Sequence, residues 1–141
     1  MNVSGFGYVG LGGSQTGTWC HLALVQAADG SRKFYVNKAL KATKAAGTTS
    51  DLVSQPLVLG DFVEGSWGAS FDGDMDEVLV FDRELSADEI EGLYDNPLQA
   101  TADVRVPEPV VHWAFDEAAT PGRDAKAVLD LEARGPVDIA S

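Results

Sequence analysis

Phe71-Asp72-Gly73-Asp74-Met75-Asp76-Glu77-Val78-Leu79-Val80-Phe81-Asp82-Arg83-Glu84-Leu85-Ser86 joins a carboxylate cluster to an apolar strand and then to a capped helix. The pattern predicts a strand over 74–81, with Val78 to Phe81 apolar on both faces, as inside a sandwich. Ser86 is an N-cap with Glu89 three residues on, which makes a capping box, and Leu85 and Ile90 take the staple positions. Ile90, Leu93 and Tyr94 form one apolar stripe, Asp88 and Glu89 suit the positive helix N-terminus, and Asn96-Pro97 ends the helix, so it spans 86–95.

Working outward, the preceding segments read as strands. Trp19 to Gln26 alternates, with Cys20, Leu22 and Leu24 on one face and Trp19, His21, Ala23 and Val25 on the other. Trp19 and Trp113 are expected in the core. Ala28-Asp29-Gly30-Ser31 is a turn whose glycine can supply positive φ, and Arg32 to Asn37 returns as the second arm of a hairpin. Residues 38–50 lack an apolar stripe and read as exposed strand plus loop. Pro56 to Gly60 is a short strand, and Asp61 to Ser70 is a loop. Residues 98–109 read as a linker, and Val110 to Glu117 as a further strand.

The chain has 141 residues, enough for a domain with a core, and 45% of them are hydrophobic. With 22 acidic against 10 basic residues its net charge is −12. Such a surface repels phosphate backbones, so no nucleic-acid partner is expected. No apolar run is long enough for a membrane span, and no cationic segment before an apolar core marks a signal peptide. The lone cysteine, Cys20, excludes an intrachain disulfide. His21 beside it points to the opposite strand face, which disfavours a Cys-His nucleophile.

Two constellations carry candidate chemistry. Asp72, Asp74 and Asp76 share a face if all are in the strand, and like charges so placed repel unless a cation or solvent separates them. Ca²⁺ takes such oxygen ligands, although an EF-hand is excluded because its sixth position would be Glu77 and its twelfth Arg83. A solvated acidic rim explains the same residues equally well. The second is Asp61-Phe62-Val63-Glu64-Gly65-Ser66-Trp67-Gly68, an aromatic in a Gly-rich loop beside acids. Trp67 and Phe62 offer a face to sugar C–H groups, and Asp61 and Glu64 can accept hydroxyl hydrogen bonds. The plainer reading, Trp67 folded over the edge as core, has the better claim on that residue.

The pieces together resemble the LamG-like jelly roll of the concanavalin A-like lectin/glucanase superfamily. Gly17-Thr18-Trp19-Cys20-His21-Leu22-Ala23, Phe34-Tyr35-Val36-Asn37, Leu57-Val58-Leu59-Gly60, Phe71 to Val78 and Arg83 to Ile90 come in that family's order, over about residues 16–95. The resemblance implies an all-β, concanavalin A-like jelly-roll β-sandwich with one short helix. It also implies a structural calcium held by Asp76, with Asp74 beside it and Asp116 or Glu117 as partners. Val111 to Glu117 resembles the strand that opens such a domain, yet here it follows the closing helix. Residues 1–97 are therefore read as the C-terminal part of a sandwich, 98–109 as linker, and 110–141 as the segment completing the same sandwich or a neighbouring one. A bare fragment would leave unpaired edges and an apolar inner face in water, so a permutant, or strand exchange between copies in a homo-oligomer, is expected instead.

The function implied is non-catalytic binding of carbohydrate or a surface glycoconjugate, at an extracellular or cell-surface location. A structural or adhesive spacer in a larger extracellular protein is one alternative. A degenerate glycoside hydrolase is the other, although the Glu-x-Asp-x-x-Glu motif of the glucanases is absent.

Overall fold

The β-hairpin expected around Asp29-Gly30 forms. A computed structural model of the chain describes residues 2–3, 7–8, 16–46, 59, 71, 73–96 and 106–115. Two short strands, β1 (Asn2–Val3) and β2 (Gly7–Tyr8), pair antiparallel. Strands β3 (Leu22–Gln26), β4 (Arg32–Val36) and β5 (Ala39–Lys44) follow in a three-stranded antiparallel sheet of that order. After them come β6 (Val78–Val80), the helix α1 (Ala87–Asp95) and β7 (Val111–Trp113), with β6 and β7 paired antiparallel.

The β3–β4 turn forms as its sequence dictates. Gly30 adopts φ +82, its N–H donates to the Ala27 carbonyl at 2.9 Å, and the Ser31 N–H donates to Asp29 Oδ1 at 2.8 Å. The β4–β5 connection is tighter. Val36 pairs with Ala39, leaving Asn37 (φ 46) and Lys38 (φ 59) as the central residues of a two-residue turn. Both lie in the left-handed region, as a type I′ hairpin turn requires. The register then slips between Phe34 and Tyr35, so that Lys41 is the extra residue of a bulge.

Alternation along the hairpin splits the sheet into two faces. Ala23, Val25 and Tyr35 pack with Leu79, Phe81, Leu85, Val106 and the α1 residues Ile90 and Leu93. Phe34 and Val36 lie on the other face with Cys20 and Ala42. Helix α1 starts as expected. Ser86 Oγ accepts from the Glu89 N–H at 3.3 Å, and Glu89 Oε2 accepts from the Ser86 N–H at 2.8 Å. Leu85 and Ile90 close the staple in the first cluster. Ile90 is 0% exposed and Leu93 joins it in the cluster against the sheet, whereas Tyr94, the third residue of the expected stripe, is exposed.

Several expectations are corrected. The strand expected over 74–81 is confined to Val78–Val80, because Glu77 takes φ 50 and turns the chain out of extended geometry. The strand expected from Trp19 begins at Leu22. Beyond the turn at Asn37, β4 offers no strand partner to residues 19–21, and Asn37 bonds His21 instead. Trp19 is accordingly 67% exposed and not core. Leu24, at 53%, is open too, since β3 stands at the edge of its sheet among the described residues. Trp113 meets its expectation at 0% exposure. Val106, in the stretch read as linker, belongs to the core.

Candidate functional site

Two of the acids singled out in the sequence lie just ahead of β6. Asp74 and Asp76 are exposed on the irregular segment ahead of Val78. Asp76 Oδ1 accepts from the Glu77 N–H at 2.9 Å, which fixes the corner. The left-handed φ of Glu77 sends its half-buried carboxylate across the ladder, where Oε2 lies 2.8 Å from His112 Nε2. His112 opposes Leu79 in the β6–β7 register, one step from the Val78–Trp113 pair. Phe115, at φ 56, leaves β7 at this same end. Two non-glycine residues in the left-handed region cost on the order of 1 kcal/mol each, so packing must hold this end of the ladder in place.

Two exposed carboxylates supply fewer oxygens than the six to eight that Ca²⁺ takes. No group of three or more His, Cys, Asp or Glu side chains among the described residues could hold a metal ion. The remaining expected ligands, Asp116 and Glu117, lie outside the described residues, as do Asp72 and the whole sugar-platform set of Asp61, Phe62, Glu64 and Trp67. What sequence reasoning missed is the Glu77–His112 pair. The two residues are 35 apart in the chain, and only the β6–β7 pairing and the backbone twist at Glu77 bring them together.

The thiol and imidazole of Cys20 and His21 part company, as expected, although both residues precede β3. Cys20 packs on Phe34 and Val36, and burial pushes its thiol up, away from the nucleophilic thiolate. His21 faces α1, with its ring edge-to-face against Tyr94 at 6.0 Å between centroids.

The Laminin_G_3 family, described as concanavalin A-like lectin/glucanases superfamily, matches residues 3–91. The chain belongs to this family. Its antiparallel strands and one short helix are those of a concanavalin A-like β-sandwich. No curated protein matches the chain. Among solved structures, it is similar to residues 221–444 of an S-layer domain-containing protein from Clostridium thermocellum ATCC 27405. The identity is 24%, over 58% of this chain and 42% of that one, with a TM-score of 0.48. The concanavalin A-like chain thus spans less than half of that structure. No helix among the described residues is long and apolar enough to cross a membrane.

Proposed function

We propose that this concanavalin A-like domain is a non-catalytic module that binds carbohydrate or a surface glycoconjugate outside the cell. The observation that carries the reading is the family match over residues 3–91, in a superfamily whose description names lectins as well as glucanases. The chemistry suits it. Trp67 and Phe62 supply the stacking surface, and Asp61 and Glu64 the acceptors for sugar hydroxyls.

Calorimetric titration with a panel of soluble glycans tests the proposal. Trp67→Ala abolishes binding if the platform is right, and unchanged affinity removes it. β-Glucan hydrolysis that disappears in Asp76→Ala or Glu77→Ala would move the domain to the glycosidases. Calcium is proposed as a structural support at Asp76 and Asp74, completed by Asp116 or Glu117. A higher Tm in Ca²⁺ than in chelator supports it, and identical curves count against it. Strand exchange would place β7 of one copy where β7 of the same chain now pairs with β6. A solution mass of two or more chains is its signature.

A further inference from the structure

His21 occupies a corner between α1 and the β4–β5 turn. Its Nδ1 is buried and has no hydrogen-bond partner among the described residues. Its main chain is clamped from both sides by Asn37: the His21 N–H donates to Asn37 Oδ1 at 2.9 Å, and the Asn37 N–H donates to the His21 carbonyl at 2.9 Å. The clamp fixes the main chain from which the half-buried ring projects. From α1, Tyr94 meets it edge-to-face. From the turn, Lys38 Nζ stands 5.3 Å from the centre of the same Tyr94 ring. The two carboxylates of that corner, Glu91 and Asp95, are both bonded to Lys38, at 2.7 and 3.1 Å. On its own segment the neighbouring titratable group, Cys20, packs on the opposite face.

We propose that His21 is an acid-sensitive latch, and that its protonation loosens the C-terminal half of α1 from the hairpin. A neutral imidazole suits the site, whereas an imidazolium places there a buried N–H with no acceptor among the described residues. Burial correspondingly holds the imidazole below its ordinary value of 6.5. The proton then binds the opened form better than the closed one. The latch is fully closed above the unfolded value of 6.5 and weakens as pH falls below it. Between the unfolded and folded values, the opening constant rises by up to about tenfold per pH unit. The chain holds two histidines, so His112 is the natural control.

Two measurements on the full chain test the latch. The first is hydrogen exchange of the α1 amides at about pH 7.5 and 5.5, corrected for intrinsic exchange chemistry. The wild type is expected to open more at the lower pH, by at most about tenfold. His21→Gln flattens that response, and His112→Gln keeps it. The second is the NMR titration of the His21 ring itself, which needs no variant and is expected to fall below 6.5. The latch is overturned if His21→Gln retains the acid response, or if the wild-type ring titrates at 6.5 or above. Should His21→Gln fail to fold, the ring titration is decisive by itself.

Discussion

Glu89 ties three groups together at the start of α1. Its carboxylate accepts from the Ser86 N–H and from both terminal nitrogens of Arg83, with Nη1 at 3.1 Å, and its own N–H returns to Ser86 Oγ. The Arg83 bond first, and then the Ser86 N–H, hold its carboxyl down to about 2 from an ordinary 4.5. A depressed carboxyl stabilises the fold above its unfolded value and stops doing so as pH falls through its folded one. The contribution is therefore complete above 4.5 and gone near 2. Glu89→Gln keeps an acceptor for the capping box but loses the charge that Arg83 pairs with, and is expected to cost up to about 1 kcal/mol at neutral pH. The gap between wild type and variant should narrow across that acid window in urea melts. Both ends of this box were legible, because Ser86 and Glu89 stand at the spacing that one helical turn requires. Arg83 was seen only as part of the family pattern, since its reach back over the cap depends on a rotamer.

At the scale of elements, the two turns of the hairpin sheet differ in how they announce themselves. Asp29-Gly30 carries its own turn chemistry, and the structure uses it. Asn37-Lys38 does not stand out, because lysine is a poor choice for φ 59. What makes that turn workable is Asn37, which tolerates the left-handed region and bonds the His21 main chain in both directions. Asn37→Ala is expected to destabilise by about 1–2 kcal/mol, from the lost hydrogen bond and the strained φ together. A lower denaturant midpoint at unchanged slope would show it. The strand expected over 74–81 came out short for the same kind of reason. Apolar alternation marks where a strand is favourable, but it carries no information about a single residue such as Glu77 that leaves extended geometry.

Across the whole molecule, the return of residues 106–115 to the core matters most. Val110 N–H donates to the Val80 carbonyl at 2.8 Å, Val106 enters the α1 cluster, and Trp113 is wholly enclosed. Trp113→Ala is expected to cost about 3–5 kcal/mol, read from thermal or urea unfolding. A loss under about 1 kcal/mol would mean that this segment contributes little to the fold. The acids Asp74 and Asp76 were visible in sequence as a cluster, and they stand together ahead of β6. Their partner geometry was not, because Glu77 meets His112 only through long-range pairing. Local patterns report neighbours on one strand or helix turn, whereas a site made of two distant strands needs the register first.

Helix α1 holds Asp88 and Glu89 in its first turn but no basic residue in its last, where the exposed carbonyls favour a cation. Lys38, from the hairpin, fills that place by bonding Asp95. The front of this helix is self-sufficient and its rear is borrowed. A synthetic peptide of residues 83–97 should accordingly wind its opening turn yet unravel from Tyr94 onward, visible as coil-like carbon shifts there. The helix could be grafted onto another scaffold only together with a lysine to greet its tail.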